Sequence, residues 1–238
     1  MDLKEEEILG GQIGRHWYYR AKAAALIRDL GNAGPREILD IGAGSGYFSR
    51  VLLEQTAARR ATCVDTGYPA DRDDTICGKP IAFRRAIDQS RADLVLAMDV
   101  LEHVPDEKAL LSPYIELVPR GTRFVISVPA FDFLWSSHDV FLRHYRRYTL
   151  ESLERAVRRC GLAVDRSHYY FGAVFPIAAG LRLMERMRRK REGEAKSQLR
   201  QHSGPVNGVL SAMCALERPA MKLNRLFGLT AFAICHKP

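Results

Sequence analysis

Glu37-Ile-Leu-Asp-Ile-Gly-Ala-Gly-Ser-Gly-Tyr-Phe48 decides the fold, because a short apolar run carrying Asp40 is followed by glycines at 42, 44 and 46. Ile38, Leu39 and Ile41 suit a strand buried in a parallel sheet. Gly42, Gly44 and Gly46, spaced by two, let backbone N–H groups approach a ligand that any Cβ would push away. The pattern predicts a helix starting near Tyr47. The dinucleotide fingerprint G-x-G-x-x-G needs a third glycine where Tyr47 stands. Asp40 also suits a pyrophosphate poorly, since an anion repels phosphate and attracts an ammonium group.

Working outward, Ala61-Thr-Cys-Val-Asp65 reads as a second buried strand ending in a carboxylate, with Thr66 beside it. An acid at that strand end can accept both hydroxyls of an adenosine ribose, each charge-assisted bond contributing roughly 1.5–3 kcal/mol. The third element is Asp93-Leu-Val-Leu-Ala-Met98, followed by a loop carrying Asp99, Glu102 and His103. Ligands bind outside the carboxyl ends of such strands.

With these residues in place, the glycine loop resembles motif I of the class I S-adenosylmethionine (SAM) dependent methyltransferases. The run Met98-Asp-Val-Leu-Glu-His-Val104 resembles the strand-four region of the subgroup acting on small molecules and lipids. The resemblance implies that SAM is held by Asp40, Gly42, Gly44, Gly46, Asp65, Thr66, Met98 and Asp99. It also implies that S-adenosylhomocysteine is the product and that Asp99 and His103 face the reaction cleft. The family's doubly wound α/β sheet has seven mostly parallel strands with the last antiparallel, and the likeness runs from Arg36 to the C-terminus.

Strands are expected at 37–41, 61–65, 81–84, 93–98, 122–128, 163–170 and 229–236, and helices at 14–31, 47–56, 107–117 and 150–160. Thr149 is the expected N-cap and Gly161 the C-cap of the last helix. The 238 residues, 47% hydrophobic, suit one α/β domain with an insertion. Five cysteines without C-x-x-C pairing point to reduced thiols in a cytoplasmic protein. The acidic start MDLKEEEILGG lacks the features of a signal peptide, and no apolar run reaches the roughly 18 residues of a spanning helix.

Residues 1–35 are expected to form an N-terminal helical lid in which Arg15 or Arg20 meets the carboxylate of the methionine moiety. The same helix could instead bury Trp17 and Tyr18 against the sheet. After the fifth strand, a loop gathers His138, Asp139, Arg143, His144, Arg146 and Arg147 beside Trp135, Tyr145 and Tyr148. Its arginine forks suit a phosphate or carboxylate and its aromatics an apolar body, so Trp135, Asp139, Arg143, Arg146, Arg147 and Tyr148 are candidate acceptor contacts. His138, His103 or His144 would be the base for a hydroxyl acceptor, whereas a carboxylate or neutral amine needs none. His138 and His144 lack a third ligand at suitable spacing, so no metal site is expected.

Residues 174–228 form a helical insertion before the final strand, with eleven Lys or Arg against four Glu, nearly all of the chain's net charge of +8. Two amphipathic helices are expected, the second over Val209–Leu226, able to lie on an anionic membrane or cover the acceptor cleft. The absence of an N-P-P-Y-like run after Met98 argues against amino-adenine methylation, and basicity alone does not establish a nucleic acid partner. The expected activity is methyl transfer at oxygen or nitrogen of a small-molecule, peptide or lipid-linked acceptor. Rival classes are an NAD-dependent oxidoreductase and a non-catalytic SAM-fold module that binds a membrane or partner.

Overall fold

The computed structural model describes residues 13–31, 34–188 and 204–238. Its strands are β1 (Glu37–Ile41), β2 (Arg60–Val64), β3 (Arg72–Ile76), β4 (Lys79–Arg84), β5 (Leu94–Met98), β6 (Arg123–Pro129), β7 (Ala163–Tyr170) and β8 (Thr230–His236). They form one sheet in the order β3-β4-β2-β1-β5-β6-β8-β7. β4, β2, β1, β5 and β6 run parallel, and β8 is antiparallel to both β6 and β7. The seven expected strands are all present.

An eighth strand, β3, was not expected. Its sequence, Arg-Asp-Asp-Thr-Ile, carries no apolar alternation, and its residues are almost all exposed. It forms because Cys77 and Gly78, with φ of 49° and 76°, make a tight reversal that pairs β3 antiparallel with β4 at the sheet edge. Backbone pairing holds this edge together with the Arg84–Asp73 and Arg50–Asp74 ion pairs and Arg72 over the Phe83 ring, and its charged side chains keep it from recruiting other chains.

The helices are α1 (Trp17–Leu30), α2 (Tyr47–Gln55), α3 (Glu107–Leu117), α4 (Ser137–Phe141), α5 (Leu150–Arg159), α6 (Phe175–Arg188) and α7 (Gly204–Glu217). Side chains alternate across the sheet. Ile38, Leu94, Leu96 and Met98 face α1 and α2, while Leu39, Ile41, Val95 and Ala97 face α3 and α5. Thr149 caps α5 through a reciprocal pair with Ser152, worth about 1 kcal/mol. Gly161, at φ 91°, takes the left-handed position one residue past the cap, Cys160.

α1 belongs to the core, with Tyr19, Ala25 and Leu26 fully buried. Tyr18 stacks on Phe171 at 4.9 Å. The insertion grips the same region: Asn207 accepts from the Trp17 N–H and donates to the Arg15 carbonyl, and the Tyr170 hydroxyl donates to the Cys214 carbonyl. Its second helix is Gly204–Glu217 rather than Val209–Leu226, because Pro219 stops it early. Five of the insertion's eleven Lys or Arg, namely Arg189, Lys190, Arg191, Lys196 and Arg200, lie outside the described residues.

Candidate active site

The glycine loop joins β1 to α2, and Gly42, Gly44 and Gly46 all adopt left-handed φ, at 60°, 53° and 71°. A Cβ on Gly42 would lie 2.8 Å from the Val100 methyls, and one on Gly46 2.9 Å from the Phe83 ring. The Gly44 N–H donates to Asp65 at 3.0 Å, and the second oxygen of Asp65 accepts the Gly67 N–H at 2.9 Å. Tyr68 donates to the Gly44 carbonyl at 2.6 Å, and burial pushes its hydroxyl pKa far up, so it stays a donor. The loop is thus rigid and placed against the β2 carboxylate, which keeps lone pairs for further donors. Thr66 beside it is exposed.

Asp40 lies beneath the loop rather than at its mouth. It is buried and accepts the Ser49 hydroxyl at 2.8 Å, and burial pushes its carboxyl up to about 6 despite that bond. Its carboxylate is thus turned to Ser49 in the structure, whereas the sequence placed it near the cofactor's ammonium. Met98, at the end of β5, is also buried.

Asp99 follows β5 with φ 56° and turns its carboxylate to the fully buried Lys22 of α1. Burial alone would lower the Lys22 ammonium, but Asp99 outweighs it and holds the group above its ordinary value. Lys22 also donates to the Tyr18 hydroxyl at 3.2 Å. Sequence reasoning missed Lys22, although its spacing of four from Tyr18 puts both on one helix face. Arg20, two residues away, falls on another face. It borders a separate groove of about 600 Å³ with Tyr47, Glu54 and Arg218.

The cleft beside Asp99 has a volume of about 220 Å³ and is walled by Tyr18, Glu102, His103, His138, His144 and Arg147, among others. The loop between β6 and α5 builds its far wall. Asp139, fully buried, closes a capping box with Ser136 at the start of α4 and accepts Nε and Nη2 of Arg147 at 2.7 and 3.0 Å. It also meets His144 Nδ1 at 2.9 Å. Burial would raise its carboxyl, but the His144 and Arg147 hydrogen bonds outweigh that and hold it well below the usual carboxylate range. The Tyr145 N–H donates to the Glu102 carbonyl at 2.7 Å, which brings His144 against the turn carrying Glu102 and His103. The rings of His103 and His144 meet edge to face at 4.6 Å. His144 Nε2 and Glu102 Oε2 are buried and have no hydrogen-bond partner. Burial, then the nearby Asp99 carboxylate, pushes the Glu102 carboxyl well above its ordinary value.

Several expected acceptor contacts turn inward instead. Asp139 is the hub of the loop, and Arg147 neutralises it rather than forking toward a ligand, although its side chain still borders the cleft. Arg146 pairs with Glu107 at 2.8 Å, and the buried Tyr148 donates to the same carboxylate at 2.9 Å. These groups hold the loop because buried acids need matched donors. Trp135 and Arg143 are exposed. The structure therefore gathers His103, His138, His144 and Asp99 at one cleft and leaves Arg143 and Trp135 at the surface.

A family model for a methyltransferase domain matches residues 15–167. The chain belongs to this methyltransferase family. Solved structures repeat the fold at low identity. The methyltransferase bound to the Trm112 activator of Haloferax volcanii is 19% identical with a TM-score of 0.58, covering 98% of this chain and 94% of its own. A SAM-dependent methyltransferase of Archaeoglobus fulgidus is 20% identical with a TM-score of 0.54, covering 99% and 98%. Phosphoethanolamine N-methyltransferase 2 of Haemonchus contortus, in complex with SAM, is 17% identical with a TM-score of 0.52, covering 91% and 52%. Among curated proteins no match is found. The methyltransferase takes SAM as its methyl donor, and the glycine cradle and the Asp65 carboxylate fit it. Among its described residues, no helix is long and apolar enough to cross a membrane.

Proposed function

We propose that this methyltransferase methylates a hydroxyl oxygen of a small-molecule or lipid-linked acceptor seated in the cleft between α1, the β6–α5 loop and α6. The observation that carries this reading is His144, whose Nδ1 is anchored on Asp139 and whose buried Nε2 faces the cleft without a partner. A carboxylate or neutral amine needs no such group, whereas a hydroxyl must be activated before it attacks. His138 and His103 border the same space.

Gly42, Gly44, Gly46, Asp65, Thr66 and Asp99 would hold the cofactor, with Met98 beneath it. Bound there, SAM supplies a methyl group on a positively charged sulfur. The chain aligns the acceptor, and Leu134, Leu142 and Pro129 keep water from the cleft. Labelled SAM with panels of hydroxyl, carboxylate and amine acceptors tests the reading. Turnover confined to hydroxyls and lost in His144→Ala supports it, and turnover unchanged in that variant removes the assignment.

The insertion favours an acceptor carried on a lipid. Leu216, Leu223 and Leu226 are 81%, 86% and 79% exposed, close to Arg218 and Lys222. Apolar side chains with adjacent bases suit the boundary of an anionic membrane. Sedimentation with vesicles containing anionic lipid checks this, and equal recovery with neutral vesicles would count against it.

A further inference from the structure

We propose that Glu102, His103 and His144 form a binding site for a divalent first-row transition ion within the acceptor cleft. The ligand atoms of these three residues lie within 4.8 Å of one another. Ligands sharing a tetrahedral ion stand about 3.3 Å apart, given metal–ligand bonds of about 2.0–2.1 Å, so small side-chain rotations close the set. Two imidazoles with one carboxylate suit zinc, iron, manganese or cobalt rather than calcium or magnesium.

Two observations converge. Glu102 Oε2 and His144 Nε2 are both buried without a hydrogen-bond partner, and both side chains are more than nine-tenths buried. A buried polar atom left unmatched is costly, and a bound ion would remove that cost. His144 already has the outer contact typical of a metal ligand, since Asp139 engages its Nδ1 and leaves Nε2 for the ion.

The spacing of these ligands hides the site in the sequence. Glu102 and His103 are adjacent and His144 comes forty-one positions later, brought in by the Tyr145-to-Glu102 backbone bond. Three protein ligands leave at least one position for another oxygen, as in catalytic zinc sites. On the proposed hydroxyl reading, the acceptor oxygen takes that position. Its O–H bond breaks, the proton passes to solvent, and the oxygen's electron pair forms the bond to the methyl group as the methyl–sulfur bond pair returns to sulfur. His144 then acts through the ion rather than by taking the proton. That role rests on the proposed hydroxyl-acceptor reading, whereas ion binding does not.

The test is titration of the untagged, chelator-treated full chain with Zn²⁺ by calorimetry and with Co²⁺ by its visible absorption, without SAM or acceptor. One equivalent should bind, and Glu102→Gln and His144→Ala should each weaken it about 10–100-fold. S-adenosylhomocysteine titration of each variant reports whether the fold and cofactor half are intact, and Glu102→Gln preserves the shape of the side chain. No saturable binding, or binding that intact variants leave unchanged, overturns the site. Failure of methyl transfer with ion binding retained would instead overturn the acceptor reading.

Discussion

Lys22 of α1, fully buried, places its ammonium on the carboxylate of Asp99 at the end of β5, 77 residues away. The pair ties the first helix to the strand end where the cleft opens. Breaking a buried pair by removing one partner costs about 3–5 kcal/mol, because the other charge is left unmatched. Lys22→Met should therefore lower the melting temperature strongly, and adding Asp99→Asn should recover much of the loss. Additive losses in the double variant would mean that the pair is not coupled.

Asp40 should make stability fall as pH rises. Its carboxyl is raised from 3.8 to about 6 by burial, so the folded chain holds the proton more tightly than the unfolded chain. The stabilisation is complete below about pH 4 and is lost as pH rises through about 6, a difference on the order of 1–3 kcal/mol. Asp40→Asn can still accept from Ser49 and should gain on wild type across that window. Denaturant titrations at pH 4 and pH 7.5 check this, and a constant difference between the two chains would refute it.

Gly46 and Gly78 share left-handed φ, 71° and 76°, but not their surroundings. A Cβ at Gly46 would meet Phe83 at 2.9 Å, whereas nothing lies within 4 Å of one at Gly78. Gly78→Ala should cost roughly 1–2 kcal/mol from backbone strain alone. Gly46→Ala should cost about 1–3 kcal/mol more from overpacking, and it should also abolish SAM binding. Thermal melts and calorimetry of the two variants make the comparison.

Asp65 takes two backbone N–H groups from the glycine loop and the loop after β2. Asp65→Ala loses those bonds and the acceptor expected for the cofactor ribose, so SAM and S-adenosylhomocysteine should bind about 10–100-fold more weakly. Calorimetric titration measures this, and unchanged affinity would place the nucleoside elsewhere.

The sheet was legible because β1, β2 and β5 are continuous apolar runs ending near acids, a pattern that burial on both faces imposes. β3 was not, since an exposed edge strand held by backbone pairing leaves no hydrophobic signature. The histidines of the cleft could be named in advance, but their companions could not. Arg146 and Arg147 look like free forks until Glu107 and Asp139 are seen to face them. Lys22, within Arg-Ala-Lys-Ala-Ala-Ala, resembles a solvated lysine until Asp99 closes on it. Chemistry carried by one segment shows in sequence, whereas charge matching across distant segments needs the fold.

Asp139 should govern the acceptor half of the site without touching the cofactor half. Its carboxylate receives Ser136 N–H and Oγ–H, both Arg147 bonds and the His144 contact, so it sets both the loop and the imidazole. Asp139→Asn leaves Arg147 buried without a counter-charge and should destabilise the β6–α5 loop by about 3 kcal/mol or more. Methyl transfer should fall at least tenfold while SAM binding by calorimetry stays within about twofold, since Asp65 and the glycine loop are untouched. Hydrogen exchange should quicken at residues 136–148. An equal loss of SAM affinity would mean that the two halves are coupled and that the loop does more than carry the acceptor.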